Sequence, residues 1–335
     1  MQYNIGQLDK NDRRLLYLLD SNSRISYSEL ARELRLPEET VRYRVKRLMD
    51  EGIVSSMYPV IAAGRLGVSV HKVMLKLQKA DEREIEAIGR YISRHALVNW
   101  VARFDGCFDI GCTLLVNHVG EVASFLEDLR RRFHLHVRSS AYAVNLHAEF
   151  FPRDYLVRGR RTTIRPAEYL SYPTSQHPAI VDALDWHILR SVAADVRVSA
   201  ANIAKEAGVS AETISRRLQR LERDRVISGY RLVVDHDRLG LVSYYMLLYL
   251  NSASEDRLQK LTEHLRAHPC VVYLIKMLGA WDYDVCVELP NVAAYRSFVV
   301  ELMKDFADVI RDVETLVTWK ILKYSLLPSG QQDTK

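Results

Sequence analysis

Two amphipathic segments carry basic and polar side chains on one face and apolar side chains on the other. In the first segment Val41, Val45 and Leu48 recur at helical spacing, and the pattern returns 173 residues later. A helix held by one apolar stripe can offer its opposite face to the bases and phosphates of a DNA major groove. The candidate DNA-binding residues are Arg42, Tyr43, Arg44, Lys46, Arg47, Ser215, Arg216, Arg217, Gln219 and Arg220.

A solvated surface is the competing interpretation of these basic residues. Acidic neighbours such as Glu38 and Glu212 dilute the positive charge of both segments. The recurrence of the basic face in both segments nevertheless favours DNA contact by at least one of them. Arg44 and Arg217 lie nearer to the apolar stripe, so each can anchor either a phosphate or a neighbouring carboxylate.

The two segments belong to a repeat that extends along most of the chain. With one offset of 173 residues, the two halves align without a gap from Asp12 to about Leu146. Arg24-Ile25-Ser26 falls on Arg197-Val198-Ser199 in this alignment. Because one offset holds through the whole unit, we infer a tandem duplication.

Each unit begins with three short helical patterns, and a three- to four-residue turn joins the second to the third. This is the arrangement of a helix-turn-helix. Gly208 stands where the second helix of unit 2 must stop in a left-handed conformation, whereas unit 1 has Arg35 there. Short alternating sequence after the third helix predicts a small wing of two strands in each unit.

The remainder of each unit follows the order strand, helix, strand, strand, helix, strand, which predicts a ferredoxin-like arrangement. The predicted fold class is α+β, with two copies of a winged helix-turn-helix followed by a ferredoxin-like (βαββαβ) domain. The winged helix-turn-helices are predicted at residues 8–62 and 184–235, and the ferredoxin-like domains at 66–150 and 239–327. A linker is predicted at 151–183, with four prolines and the basic cluster Arg158-Gly159-Arg160-Arg161.

Composition narrows the class of protein. The chain has 335 residues, 48% of them hydrophobic, and a formal net charge of +5, which permits nucleic-acid binding but does not establish it. It contains no apolar stretch of membrane-spanning length and no signal-peptide pattern. Its four cysteines lack metal-ligand spacing, and no catalytic constellation recurs in both copies. We therefore expect a cytoplasmic protein with no metal, no cofactor and no membrane partner.

Both units place glycine and aspartate three residues apart in a hairpin turn, at Gly106–Asp109 and Gly279–Asp282. A turn that needs positive φ explains the glycines. The aspartates are open to two interpretations, as caps of the turn or as ligand contacts.

The order and spacing of these motifs resemble the leucine-responsive regulator/AsnC ("feast/famine") family. The resemblance is carried by Leu8-Asp9 with Asp12, by Arg24-x-Ser26, by the basic third helix with Arg44, by Leu66-Gly67 and by the Gly-x-x-Asp turns. It implies a transcriptional regulator that binds specific sequences in double-stranded DNA. It also implies ferredoxin-like domains that dimerise and bind amino acids or related small molecules, so we expect a homo-oligomer formed through these domains.

The resemblance further implies that Gly106, Asp109, Gly279 and Asp282 bind an effector, with the aspartates near its ammonium group. The family normally has one unit per chain, and the duplication departs from that pattern. No enzyme activity is implied.

An enzyme is the alternative that the resemblance itself raises. Siroheme decarboxylases resemble this family in both domains and can occur as fused double units. Where that group tends to carry a histidine, this chain has Asn117 in one copy and Pro290 in the other, and His118 lies one position late. A DNA-free partner of sibling regulators is a further alternative.

Overall fold

The computed structural model describes residues 5, 8–157, 170–173, 177–325 and 327. In unit 1 the elements are α1 (Lys10–Ser21), α2 (Tyr27–Leu34), α3 (Glu38–Asp50), β1 (Val54–Ile61), β2 (Ser69–Leu77), α4 (Glu82–Arg94), β3 (Val98–Gly106), β4 (Ile110–Val116), α5 (Val119–Arg132) and β5 (Val137–Phe150). After β6 (Leu170–Pro173), unit 2 contains α6 (Ala183–Ala194), α7 (Ala200–Ala207), α8 (Ala211–Arg223), β7 (Ile227–Val234), α9 (His236–Leu239), β8 (Val242–Leu250), α10 (Glu255–Ala267), β9 (Val271–Gly279), β10 (Tyr283–Leu289), α11 (Val292–Phe306) and β11 (Ile310–Tyr324).

Local sequence signals explain the helix-turn-helix in both units. Ser26 and Glu29 form a reciprocal capping box at the start of α2, which fixes where the helix begins. Arg35 ends α2 in a left-handed conformation with φ of 55°, and Gly208 ends α7 with φ of 69°. The two copies therefore make the same turn, and unit 1 makes it with a residue that adopts positive φ less readily than glycine.

The strand after each third helix pairs between the units. β1 runs antiparallel to β7, and Tyr58 pairs with Arg231, its own counterpart in the repeat. The prediction of two strands per wing was wrong in this respect, because each unit supplies one strand to a shared two-stranded ribbon. The two helix-turn-helices are therefore related by a local twofold axis that passes through the ribbon.

The two ferredoxin-like domains close into one eight-stranded barrel. Its strands follow the ring β2-β4-β3-β11-β8-β10-β9-β5, and β5 pairs back to β2. The seams between units are β3 with β11 and β5 with β9, which are equivalent in the repeat. Closure removes exposed seam edges, and it shows that the ferredoxin-like domains pair within one chain.

Each helix-turn-helix packs against the other unit. The core formed by α1, α2 and α3 includes Leu232, Val234 and Leu239 of unit 2. The core of α6, α7 and α8 includes Ile61 and Leu66 of unit 1. This exchange of apolar contacts makes each half depend on the other for a complete core.

The linker predicted at 151–183 contributes structure of its own. Asp154–Leu156 form a short 3-10 turn, and β6 adds to the edge of β5. The predicted basic cluster at Arg158–Arg161 lies outside the described residues.

In the described part of the chain, no helix has both the length and the apolar character needed to cross a membrane. Among the same residues, no group of three or more potential ligands is placed to hold a metal ion. All four cysteines are free thiols. Burial raises the pKa of Cys112 and of Cys286 to about 12, which keeps both thiols protonated and unreactive.

Candidate DNA-binding and ligand-sensing sites

The face of α3 opposite its buried stripe is open to solvent. Val41, Val45 and Leu48 are buried against the domain core. Tyr43 is 65% exposed, and the Lys46 side chain is 74% exposed. Arg42 lies over the ring of Tyr27 and bonds to Glu38 one turn earlier on the surface. Because these contacts are solvent-exposed, a phosphate or a base can compete for them.

The corresponding face of α8 carries different chemistry. Arg216 and Gln219 are exposed, and Ser215 is half-buried. Ser210 caps the helix by accepting from the backbone N–H of Thr213 at 3.1 Å. The two exposed faces therefore offer different hydrogen-bonding groups at equivalent positions.

Four of the predicted DNA-binding arginines form ion pairs with the first helix of their own unit. Arg44 contacts Asp9 and Asp12, each at 2.7 Å, and Arg47 contacts Asp12 at 2.6 Å. The side chain of Asp12 is 5% exposed, so it depends on these guanidinium groups as partners. Of the two partners that the sequence left open for Arg44, the structure shows the neighbouring carboxylate. Arg47 also binds Asp12, although the sequence placed it on the free face of the helix.

Unit 2 repeats this cluster. Arg217 contacts Asp182 at 2.6 Å, and Arg220 contacts Asp185, whose side chain is fully buried. The recurrence shows that these arginines hold the third helix on the first one. Contact of Arg44, Arg47, Arg217 or Arg220 with DNA stays a prediction.

A reciprocal pair of arginines joins the two helix-turn-helices. Arg24 donates to the carbonyls of Val196 and Val198, with 3.0 Å for the latter. Arg197, its counterpart in the repeat, donates to the carbonyls of Ser23 at 2.8 Å and Ile25 at 3.0 Å. Val196 and Val198 are the counterparts of Ser23 and Ile25 in the repeat. This contact and the β1–β7 ribbon hold the two units at a fixed separation.

The glycines of both Gly-x-x-Asp turns lie at the barrel seams. Gly106 has φ of 143° and Gly279 has φ of 146°. A Cβ on Gly106 would come within 2.6 Å of the carbonyl oxygen of Thr315, and one on Gly279 within 2.5 Å of the carbonyl oxygen of Tyr142. Both glycines are therefore required for the close approach of the two units, in addition to the turn itself.

The aspartates of the same turns bind backbone amides. Asp109 accepts from the N–H of Leu77 at 2.6 Å and contacts Lys76 at 3.1 Å. Asp282 accepts from the N–H of Leu250 at 2.8 Å, the equivalent bond in unit 2. The structure thus gives both carboxylates a capping role, and effector contact by these residues stays a prediction.

The barrel contains a buried polar cluster that sequence reasoning missed. Lys72 contacts Asp284 at 2.5 Å, and both side chains are at most 4% exposed. Trp281 donates to the other oxygen of Asp284 at 2.5 Å. Burial raises the pKa of Asp284, although Lys72 opposes this effect. The available signal was a pair of charges that the repeat does not share, since Tyr245 stands at the position of Lys72 and Gly111 at the position of Asp284.

A second buried cluster joins the linker to both units. Arg153 contacts Asp20 of α1 at 2.7 Å and Glu288 of β10 at 2.9 Å. Glu288 also contacts His236 at 2.8 Å, and Asp20 contacts Arg231 at 3.1 Å. Burial alone would raise the pKa of Glu288, but Arg153 and His236 outweigh burial and hold it well below its usual range. The repeat gave no signal for this cluster, because the other unit has no equivalent.

Three family models match the chain in the order that the fold displays. They describe a winged helix-turn-helix DNA-binding domain at residues 8–55, an AsnC-type helix-turn-helix domain at 181–222 and a Lrp/AsnC ligand binding domain at 243–327. The Bkd operon transcriptional regulator of Pseudomonas aeruginosa is 32% identical over 126 residues, which are 82% of that protein and 37% of this chain. The chain belongs to the Lrp/AsnC family.

Another Lrp/AsnC relative is the Leucine-responsive regulatory protein of Rhizobium meliloti, which is 29% identical over 140 residues, or 89% of its length and 41% of this chain. Each of these relatives therefore spans about one unit. Membership makes this Lrp/AsnC protein a transcriptional regulator with DNA-binding and ligand-binding domains, and it confirms the predicted family and fold class.

The double-unit architecture also occurs in a solved structure. The siroheme decarboxylase NirDL matches 96% of this chain and 94% of its own, with a TM-score of 0.61 and 13% identity. At this identity the similarity shows a shared fold only.

Proposed function

We propose that one chain acts as a complete DNA-reading unit, with α3 and α8 in successive major grooves of the same duplex. The observation that carries this proposal is the reciprocal contact of Arg24 and Arg197, which fixes the two helix-turn-helices in a twofold relation. In dimeric helix-turn-helix proteins, half-sites lie about one helical turn or a multiple of it apart.

The residues proposed to contact bases are the exposed ones. They are Arg42, Tyr43 and Lys46 on α3, and Ser215, Arg216 and Gln219 on α8. Arg44, Arg47, Arg217 and Arg220 have the additional role of positioning these helices through carboxylates of α1 and α6. Because the two exposed sets differ, the two half-sites should differ.

Modulation by an amino acid or related small molecule is proposed for the ferredoxin-like domains, including the turns with Gly106, Asp109, Gly279 and Asp282. The family match to a ligand binding domain supports this proposal. A homo-oligomer formed through these domains is also proposed. Since the seam strands are already paired within the chain, association would use other surfaces. Action on DNA and four free thiols favour the cytoplasm as the location.

The function is tested by titrating fluorescent duplex DNA, taken from a random-sequence selection, with the full chain at several salt concentrations. Binding should weaken with rising salt, because phosphate contacts release counterions. Absence of binding at low ionic strength would refute the proposal. The proposed homo-oligomer is tested by light scattering, which measures the molar mass in solution and so reports whether chains associate.

The decarboxylase alternative rests on the shared fold with NirDL. It is tested by adding an iron tetrapyrrole and recording the Soret absorbance. An unchanged spectrum, together with duplex binding, supports the regulator. A shifted spectrum with release of carbon dioxide supports the enzyme.

A further inference from the structure

We propose that the open edge of β11 binds an extended, acidic segment of a partner protein, which adds to the sheet as an antiparallel strand. The site, called the β11 groove, has a volume of about 540 Å³ and lies between residues 318–324 of β11 and residues 55–56 and 233–237 of the ribbon and α9. The residues proposed to contact DNA do not line it. The assignment therefore goes beyond the DNA-reading function and does not depend on it.

The equivalent edge in unit 1 is filled by a strand of the linker. β5 pairs with β2 and then with β9, and β6 adds on the side that β2 leaves open. Phe150 pairs with Leu170 in this arrangement. Leu170 also packs on the ribbon at Gly229, where a Cβ would come within 2.6 Å of the Leu170 Cδ2. Unit 1 thus shows that a short extended segment fits between this edge and the ribbon.

Unit 2 repeats the edge and the ribbon wall without an added strand. β8 pairs with β11 as far as Val317, and within the described part of the chain no strand continues on that side. Ala148 and Phe150 of unit 1 are buried, whereas their counterparts Ile321 and Lys323 are half-buried. The unpaired N–H and C=O groups of such an edge are a template for a further strand.

The side chains of the edge select an acidic segment. In unit 1, the hydroxyl of Ser171 on β6 lies 2.9 Å from Nε2 of His147. Lys320 stands at the position of His147 in unit 2. A carboxylate on the added strand at the position of Ser171 would therefore bind Lys320. Trp319, which is 63% exposed, offers an aromatic surface beside it.

The total charge of the edge changes in the same direction. Residues 147–150 carry one negative charge, from Glu149, whereas residues 320–323 carry two positive charges, from Lys320 and Lys323. The opposite wall contains two acidic residues, Asp235 and Asp237. Of these, Asp235 caps α9 and contacts Arg238 at 3.6 Å. Positive charge thus lies along the strand edge, where cross-strand neighbours meet.

The groove does not fit the β6 strand of a second copy. Ser56 replaces Gly229 on the ribbon. A Cβ at this position is the atom that would meet a side chain placed like Leu170 at 2.6 Å. A smaller side chain is needed there, so we assign the groove to a different protein.

A phage-displayed library of random ten-residue peptides, selected on the full chain, supplies the probe. Enriched sequences should be rich in aspartate and glutamate, and the strongest is then titrated as a labelled synthetic peptide by fluorescence anisotropy. Lys320→Glu with Lys323→Glu should weaken its binding at least about tenfold, because like charges then face each other. Lys260→Glu with Lys304→Glu, at two exposed lysines outside the groove, is the matched control and should leave the affinity within about twofold.

Two further measurements locate the peptide. Ser56→Trp fills the groove and should abolish binding. Backbone hydrogen exchange should slow in residues 318–324 when the peptide binds, because an added strand pairs with their amides. Exchange at residues 147–150, which β6 already pairs, should not change. Circular dichroism verifies that each variant is folded.

The assignment fails if no peptide is enriched, if the lysine reversal leaves binding unchanged, or if exchange slows elsewhere. Chains that associate by themselves and become monomeric in Ser56→Trp, as measured by light scattering, would place a second copy in the groove and overturn the partner assignment. Slowed exchange at 318–324 with a DNA duplex in place of the peptide would assign the edge to nucleic acid and overturn it as well.

Discussion

At the residue scale, the structure separates the arginines that bind carboxylates of the first helix from the arginines that face solvent. Arg44 and Arg47 converge on Asp12, and Arg217 and Arg220 converge on Asp185. From the sequence, Arg44, Arg47, Arg217 and Arg220 were candidates for DNA contact together with the solvent-facing residues of the third helices. The sequence left a phosphate or a carboxylate open as the partner of Arg44 and Arg217, and it placed Arg47 and Arg220 on the free face. The carboxylates that each side chain reaches depend on how the third helix packs against the first, which no local pattern reports.

The first prediction concerns the buried partner of this cluster. Asp12→Ala leaves two guanidinium groups without their shared carboxylate, so the free energy of unfolding should fall by about 1.5–3 kcal/mol. Glu38→Ala removes an exposed pair with Arg42 and should change it by less than about 0.5 kcal/mol. Urea denaturation measures both. Equal effects of the two substitutions would contradict the assigned roles.

A second prediction concerns pH. The pKa of Glu288 lies well below its usual range in the folded chain, mainly because Arg153 and His236 outweigh burial. A carboxyl with a lowered folded pKa stabilises the fold above its unfolded pKa, about 4.3, and this contribution is lost as pH falls through the folded pKa. Stability should therefore decrease below about pH 4.5, with a smaller slope in Glu288→Gln. Urea denaturation at a series of acidic pH values measures this dependence. Equal slopes of stability against pH in the unsubstituted chain and in Glu288→Gln would refute the assignment.

At the element scale, the order of helices and strands within each unit could be predicted from the sequence. Alternation, caps and turn residues are local signals, and they located the ferredoxin-like pattern within a few residues. The pairing of strands between the two units could not be predicted in this way. The β1–β7 ribbon and the seams depend on contacts separated by more than 100 residues, which no local pattern reports.

The seam gives a third prediction. Gly279→Ala places a Cβ within 2.5 Å of the carbonyl oxygen of Tyr142, in a backbone conformation that alanine rarely adopts. We expect a loss of about 3 kcal/mol in the free energy of unfolding. Gly208 is the control, because it also has positive φ but nothing lies within 4 Å of its Cβ position. Gly208→Ala should cost about 1 kcal/mol, and an equal loss at both sites would contradict a special role for the seam.

The contact between the helix-turn-helices gives a fourth prediction. Removing both reciprocal donors, in Arg24→Ala with Arg197→Ala, should loosen the spacing of α3 and α8. Affinity for a duplex with both half-sites should fall about tenfold, because the second contact loses effective concentration. Affinity for a single half-site should change little. Fluorescence anisotropy with the two duplexes distinguishes this result from a general loss of binding, which would argue against a spacing role.

At the scale of the whole molecule, the duplication places two equivalent units in one chain, joined by the shared ribbon and by the two barrel seams. A barrel closed by equivalent seams allows the halves to diverge while they stay paired. Lys72 and Asp284 illustrate the divergence, since their counterparts are Tyr245 and Gly111. The repeat itself was visible in the sequence, whereas these cross-barrel partners were not, because only the closed barrel brings β2 and β10 together.

The central claim is that one chain reads two different half-sites at a fixed separation. Selection of bound sequences from a random duplex library, repeated with Arg42→Ala and Arg216→Ala, tests it most directly. We expect a non-palindromic pair of half-sites, with each substitution relaxing only one half and costing about 1–3 kcal/mol. A perfect inverted repeat, or a selected sequence that neither substitution alters, would contradict the account.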